Sequence, residues 1–161
     1  MVALGLSLHR QGKEISRLGR SLPVSVLVGS LVGVVTATTI ARGLGAPREI
    51  VATLAPKSVT TPIAMAISAQ LGGIPSLAAV LVILVGVFGA MVNPLVFRLL
   101  GIRSPSAWGL AMGGSAHVVG TARALEEGPT QGAAGAVAVG LFGLATALWA
   151  PLVMRLLDLL G

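Results

Sequence analysis

The segment Ala55-Pro56-Lys57-Ser58-Val59-Thr60-Thr61-Pro62 places a lysine, three hydroxyl groups and two prolines within an otherwise apolar stretch. Proline inside a helix removes a backbone donor and clashes with the preceding turn, so this spacing predicts a break. Backbone groups freed at membrane depth must be satisfied by protein or by a water-lined cavity. A lysine at that depth is costly and usually has a function. The segment therefore predicts a broken helix whose unwound middle carries polar groups.

The rest of the chain has the composition of a multi-pass membrane protein. Of its 161 residues, 55% are hydrophobic and only 10% are charged, whereas soluble domains carry about 25% charged residues. A helix needs about 20 apolar residues to cross a bilayer. We predict three such spans, at Leu22–Ile40, Pro75–Phe97 and Ala133–Leu157. The 22 glycines indicate closely packed helices.

Two further segments of membrane length are predicted to be interrupted. Arg48–Leu71 contains the break at Pro56–Pro62, and Ser106–Arg123 contains four glycines and a histidine, which make a weak helix. The predicted fold is therefore an all-α, multi-pass membrane protein with two broken or re-entrant helices. Paired interruptions at corresponding positions point to the midplane site of a secondary transporter. Pore-forming proteins also use re-entrant segments, so this pattern leaves that alternative open.

Charge placement predicts an orientation but leaves the path of the broken segments open. The basic segment His9–Arg20 is predicted to be cytoplasmic, because positive loops stay on that side. Full crossing of both broken segments would put Arg98 and Arg103 outside, whereas a re-entrant Arg48–Leu71 would put them inside. Because Arg48–Leu71 is long enough to span, we favour full crossing. The apolar run Val2–Leu8 is too short to span and reads as the tail of a helix.

Several functional classes are excluded by what the sequence lacks. The net charge of +6 does not indicate a nucleic-acid interface, because the basic residues beyond one short cluster are scattered and only five residues are aromatic. Without cysteine and with only His9 and His117, a thiolate or histidine-based metal site is not expected. No nucleophile elbow, phosphate-binding loop or metalloprotease motif is present. We expect neither an enzyme nor a cofactor, and we predict no catalytic residues.

Lys57 admits two interpretations. It could extend to the membrane surface from a short helix, or it could face a cavity and bind a small anion. The hydroxyls of Ser58, Thr60 and Thr61 favour the second interpretation, because they can hydrogen-bond an anion beside the charge. Pro62 suits the first turn of a second half-helix, whose N-terminal end would also attract an anion.

His117 is equally compatible with two roles. It could bond a backbone carbonyl and serve in helix packing, or it could contact substrate or carry a proton, since histidine titrates near neutral pH. Ser115, Gly120 and Thr121 lie close to it in the sequence and make polar surroundings plausible. The sequence leaves both roles open.

Both interrupted segments resemble the hallmarks of the LrgB family of membrane proteins. Leu54–Ala64 is similar to the first hallmark. Gly109–Gly113, followed by Ser115–His117 and Gly120–Arg123, is similar to the second, and the intervening Gly72–Pro75 also matches. The resemblance runs over nearly the whole chain and implies a single LrgB-like transmembrane domain over residues 1–161. Family members usually have further hydrophobic segments before the position of Val2, so we expect this chain to lack the usual N-terminal helices.

The resemblance also implies a function and partners. The family includes bacterial antiholin-like proteins linked to murein hydrolase control and autolysis, and the plastid glycolate/glycerate translocator, in which an LrgA-like and an LrgB-like part are fused. Bacterial relatives are associated with pyruvate movement. The resemblance therefore implies transport of small monocarboxylates. Together with the two broken helices, it leads us to expect a carrier that works by alternating access in the cell inner (plasma) membrane. The alternative is a holin/antiholin-like regulator of murein hydrolase export. A homo-oligomer, an LrgA-type membrane partner and the lipid bilayer are the expected partners.

The residues that the resemblance places in the family's most characteristic segments are the candidate substrate-binding residues. They are Lys57, Ser58, Thr60, Thr61, Ser115, His117, Gly120 and Thr121.

Overall fold

The structure is a computed structural model that describes residues 21–159. The described chain consists of six helices joined by short turns, which confirms the all-α class. The predicted helix tail Val2–Leu8 and basic segment His9–Arg20 lie outside the described residues. The helices are α1 (Ser21–Gly43), α2 (Arg48–Leu54), α3 (Thr61–Leu71), α4 (Pro75–Leu99), α5 (Pro105–Glu127) and α6 (Pro129–Leu159).

Three of these helices are long and apolar enough to cross a membrane: α1, α4 and α6, with 23, 25 and 31 residues. At 1.5 Å per residue they are about 34 to 46 Å long, against a hydrocarbon core of about 30 Å. They coincide with the three predicted spans, because each is an uninterrupted apolar run. Arg42, near the end of α1, donates a hydrogen bond to Leu157 O near the end of α6 at 2.6 Å. Leu22, at the start of α1, packs near Ala134 at the start of α6, so α1 and α6 run parallel.

Helices α2 and α3 form a hairpin, hereafter hairpin A (residues 48–71). Arg48 Nη1 at its start donates to Leu71 O at its end, at 3.1 Å. Just beyond it, Ile74 N donates to Thr53 Oγ1 at 2.8 Å. The expected full crossing of Arg48–Leu71 is therefore wrong, because the chain reverses direction between the two helices. With 7 and 11 residues, these helices are only about 10 and 16 Å long.

Helix α5 is also folded back on itself and forms hairpin B (Pro105–Glu127). Its backbone leaves the helical region at Ala116 (φ −126°, ψ 16°) and at His117 (φ 43°, ψ −132°). A Cβ atom on Gly120 would lie 2.6 Å from Met112 O, whereas eight residues of a straight helix span about 12 Å. Buried Met112 and Ala124, one from each half, pack in one cluster with Phe97 of α4. The two halves of α5 therefore lie side by side, and full crossing of this segment is also wrong.

The two hairpins start from opposite ends of the helix bundle. The Arg48 end contains both ends of hairpin A, the end of α1 and the end of α6, where Arg48 Nη2 lies 2.8 Å from Asp158 Oδ2. The Arg98 end contains the end of α4, both ends of hairpin B and the start of α6. Each hairpin thus extends inward from one end, and its turn lies at depth within the bundle.

Helix α4 packs against both hairpin turns. Val59 of the hairpin A turn is buried against Ala78 and Val82. One turn further along α4, the absence of a side chain at Gly86 makes room for His117, since a Cβ there would lie 2.5 Å from His117 Nε2. The two turns therefore sit next to one another near the middle of α4.

Candidate functional site

A cavity of about 290 Å³ lies between the turns of the two hairpins. It is also bounded by the middle parts of α1 and α6, so it sits at mid-length of the bundle. Its walls combine glycines, hydroxyl groups, one lysine and apolar side chains. The lining residues are Gly29, Ser30, Gly33, Val34, Ala55, Lys57, Ser58, Ala111, Gly114, Ser115, Phe142 and Thr146.

Lys57 supplies the positive charge of this cavity. It lies in the turn of hairpin A, and its side chain is half-buried. Its ammonium group donates to Ser58 Oγ at 2.9 Å. Within residues 21–159 no carboxylate lies within ion-pair distance of it. A half-buried cation without a counter-ion attracts an anion or water, and the neighbouring hydroxyl adds a hydrogen-bonding group beside the charge.

Ser115 brings hairpin B to the same cavity. Its hydroxyl accepts a hydrogen bond from Asn93 Nδ2 of α4 at 2.8 Å and donates to Ala111 O at 2.5 Å. Lys57 and Ser115 also line a second cavity of about 550 Å³ on the α4 side, which includes Asn93 and Phe88. These two side chains therefore lie between the two cavities.

Two polar residues of the long helices complete the first cavity and were missed by the sequence analysis. Ser30 of α1 is buried and its hydroxyl donates to Leu27 O at 3.1 Å. Thr146 of α6 is only 4% exposed. Both lie within long, mainly apolar spans and away from the two interrupted segments, on which the search for binding residues concentrated. A search for hydroxyl residues near the centre of each span could have found them.

The other five candidate residues are not among the described residues that line this cavity. Thr60 and Thr61 are partly buried at the start of α3. His117, Gly120 and Thr121 lie in and beside the turn of hairpin B. The structure therefore brings Lys57, Ser58 and Ser115 together in the cavity and places the remaining five around it.

His117 is held by backbone contacts. Its Nε2 atom lies 2.8 Å from Val82 O, and since a carbonyl only accepts, this nitrogen carries the proton. Thr121 Oγ1 donates to His117 O at 2.9 Å. The side chain is 5% exposed, and the positive φ of 43° is uncommon for a residue other than glycine. This geometry favours the packing role that the sequence left open, in which His117 fixes the turn to α4.

The described residues contain no group of three or more histidine, cysteine, aspartate or glutamate side chains that could hold a metal ion. The polar side chains at the first cavity are one lysine and several hydroxyl groups, and Asn93 adds an amide at the second cavity. Such a set can bind an anion by charge and hydrogen bonds.

Three membrane-length apolar helices, with a cavity that contains a lysine and several hydroxyl groups, define a helical membrane protein. The chain belongs to the LrgB-like family, whose model matches residues 1–156. This result confirms the family predicted from the two interrupted segments.

Curated relatives match along almost the whole chain. An uncharacterized protein of Haemophilus influenzae is 36% identical over 157 residues, which cover 98% of this chain and 68% of the relative. The uncharacterized protein YxaC of Bacillus subtilis is 34% identical over 156 residues, or 97% of this chain and 68% of the relative. The antiholin-like protein LrgB of Bacillus mycoides is 28% identical over 153 residues, or 95% of this chain and 66% of the relative. No solved structure matches the chain.

Proposed function

We propose that the protein carries small monocarboxylates, of the glycolate, glycerate or pyruvate type, across the membrane by alternating access. The observation that supports this most directly is the position of Lys57. It is a cation without a carboxylate partner among the described residues, in a cavity between two hairpin turns and at mid-length of three membrane-length helices. A cation at such a position is rarely kept for packing alone.

The content of the cavity favours a small, singly charged anion. Lys57 is the one charged residue among its lining residues, and Ser58, Ser115 and Thr146 add hydroxyl groups. One cation balances one carboxylate and leaves no second positive group for a dicarboxylate. A volume of about 290 Å³ also limits the size of the bound molecule.

The arrangement of the helices supports alternating access. In the order α1, hairpin A, α4, hairpin B, a long helix is followed twice by a re-entrant hairpin, with the second pair inverted relative to the first. Inverted repeats with interrupted helices at the midplane are the usual construction of secondary transporters. In the proposed cycle, displacement of one hairpin turn opens the cavity toward one end of the bundle, and displacement of the other turn opens it toward the opposite end.

The distribution of basic residues favours a cytoplasmic Arg98 end in a cell inner membrane. Within residues 21–159 each end has three basic residues, Arg98, Arg103 and Arg123 at one and Arg42, Arg48 and Arg155 at the other. The orientation therefore rests on the sequence prediction that the basic segment His9–Arg20 is cytoplasmic. This segment directly precedes Ser21, which begins α1 at the Arg98 end.

We also propose that the protein forms homo-oligomers and binds an LrgA-type membrane partner. Helix α4 presents a row of exposed apolar side chains that would contact lipid or a neighbouring membrane helix. They are Val80, Ile83, Leu84, Val87, Phe88, Met91 and Leu95.

Uptake of radiolabelled pyruvate, glycolate and glycerate into proteoliposomes tests the proposal. We expect saturable uptake by the parent protein. Lys57→Gln should weaken carboxylate binding, because a hydrogen bond to a charged group contributes about 1.5–3 kcal/mol, or about 10- to 150-fold. Lys57→Arg keeps the charge and is the matched control, so it should retain more binding than Lys57→Gln. Equal affinity of the parent and a well-folded Lys57→Gln protein would contradict the role of Lys57.

A second candidate function is favoured by the names of several relatives. The Bacillus mycoides relative is named an antiholin-like protein, which supports a holin/antiholin-like regulator of murein hydrolase export and autolysis. The same proteoliposomes separate the two functions. Release of an entrapped dye without substrate selectivity would favour the pore-type regulator, whereas selective and saturable carboxylate uptake would favour the carrier.

A further inference from the structure

We infer that Thr146 of α6 is a specificity-determining residue, whose hydroxyl binds a polar group on the second carbon of a carboxylate held at Lys57. This inference rests on the proposed carrier function and deepens it. Through this contact, Thr146 would make the protein prefer small carboxylates with a hydroxyl or an oxo group at C2 over unsubstituted carboxylates of the same length.

The hydroxyl of Thr146 is unusual among the buried hydroxyls of the long helices. Thr38 of α1 donates to Val34 O, four residues earlier, at 2.8 Å, and this bond satisfies a threonine within a helix. Thr146 is 4% exposed and lines the cavity, yet its hydroxyl has no hydrogen-bond partner among residues 21–159. Among residues 21–159 only Ser68 Oγ is a fully buried polar side-chain atom without a partner, so the unpaired Thr146 hydroxyl is accessible to small molecules. A ligand or water in the cavity is therefore its available partner.

Phe142 fixes the wall beside this hydroxyl. It lies one helical turn before Thr146, so both side chains face the same side of α6 and both line the cavity. The ring lies between α1 and hairpin B. A Cβ atom would lie 3.1 Å from the ring at Gly29 and 2.6 Å at Gly114. The ring therefore fills the space that these two glycines leave and forms an apolar part of the cavity wall next to the unpaired Thr146 hydroxyl.

Lys57 and Thr146 would bind different parts of the same substrate. The ammonium group of Lys57 is the strongest site for the carboxylate, because a charge-assisted hydrogen bond is stronger than a neutral one. In a molecule small enough for the cavity, the next polar atom beyond the carboxylate is the substituent on C2. A threonine hydroxyl both donates and accepts, so it can pair with a hydroxyl or with an oxo oxygen.

The test compares three probes of equal carbon length, which are lactate, pyruvate and propionate. Each is measured as an inhibition constant against labelled pyruvate uptake by the full chain in proteoliposomes. Thr146→Val removes the hydroxyl at nearly constant volume, and Thr146→Ser keeps it. We expect Thr146→Val to weaken lactate and pyruvate by about 3- to 10-fold, as for a neutral hydrogen bond. Propionate should be unchanged, and Thr146→Ser should keep the preference of the parent.

Different failures are distinguishable. If Thr146→Val weakens all three probes equally, or none of them, the assignment of Thr146 to the C2 group is overturned while the carrier function stands. If the parent takes up no carboxylate, the proposed function is overturned and this inference with it. Size-exclusion chromatography in detergent checks the fold of each variant. If Thr146→Val does not fold, Thr146→Ala takes its place in the same comparison with Thr146→Ser.

Discussion

The hairpin arrangement predicts which loops are exposed on the same side of the membrane. The chain has no cysteine, so single cysteines can be introduced without a background signal. Four exposed positions lie at the ends of the two hairpins: Leu44 and Ser76 just outside hairpin A, Leu100 just before hairpin B and Glu126 in its last turn. We expect cysteines at positions 44 and 76 to be labelled from one side and cysteines at 100 and 126 from the other.

This prediction follows from the lengths of the two helices of hairpin A. Crossing a hydrocarbon core of about 30 Å takes about 20 helical residues. The two helices of hairpin A have 7 and 11 residues, and together they would reach about 27 Å only if they were collinear. They are not collinear, because Arg48 donates to Leu71 O at 3.1 Å. Both loops of each hairpin must then emerge on one side.

The assay is labelling of intact cells with a membrane-impermeant maleimide, followed by a permeant one. By the positive-inside rule, positions 44 and 76 should react with the impermeant reagent, and positions 100 and 126 only after permeabilisation. Full crossing of both segments predicts a different pairing, 44 with 100 and 76 with 126. Observation of that second pairing would refute the hairpin fold, and the expected pairing with the sides exchanged would refute only the orientation.

Two further predictions test the meeting of the hairpins. Cysteines at Ser58 and Ser115 should cross-link with a short bifunctional reagent, because both residues line one cavity, and failure of all pairs between the two turns would contradict their contact. Gly86→Ala should lower the free energy of unfolding by about 1–3 kcal/mol, because the new Cβ would lie 2.5 Å from His117 Nε2 and force it away from Val82 O. Gly140→Ala is the matched control, with no atom within 4 Å of the new Cβ, and equal unfolding in the two variants would refute the contact.

The three spans could be predicted because their signal is local. Each is a long apolar run, and the structure gives an uninterrupted helix at each position. The position of the first break was equally local, since α2 ends at Leu54 and α3 begins at Thr61, close to Pro56 and Pro62. Proline disrupts the helix within one turn of its own position, so the break can be predicted from the sequence without knowledge of the fold.

The reversal of the two segments could not be predicted from length or periodicity. Residues 48–71 are long enough to span, and the bonds that hold the hairpin, such as that between Arg48 and Leu71, join residues far apart in sequence. The charges of Arg98 and Arg103 were the one usable signal, because the hairpin alternative places them on the cytoplasmic side together with the basic N-terminal segment.

The turn of hairpin B shows why glycine alone was a poor guide to the site. Glycines 113, 114 and 120 favoured an interruption, but the backbone leaves the helix at Ala116 and His117. The glycines instead allow close packing, as at Gly114, where a Cβ would lie 2.6 Å from the Phe142 ring. Contacts of this kind depend on two elements at once, so nothing in the sequence indicated the role of Phe142.

An uncompensated lysine gives the proposed carrier a physical reason to move with its substrate. Without substrate, closing the cavity would bury the Lys57 charge with only Ser58 as a described hydrogen-bond partner, and burying an unpaired charge is strongly unfavourable. A bound carboxylate neutralises that charge and supplies acceptors for it, so closure of the loaded cavity costs less than closure of the empty one. Ser115, which lies beside Lys57 but belongs to the opposite hairpin, would let both turns respond to the same bound anion. The loaded protein would therefore change between its two conformations more easily than the empty protein. Such a carrier favours the exchange of one carboxylate for another across the membrane.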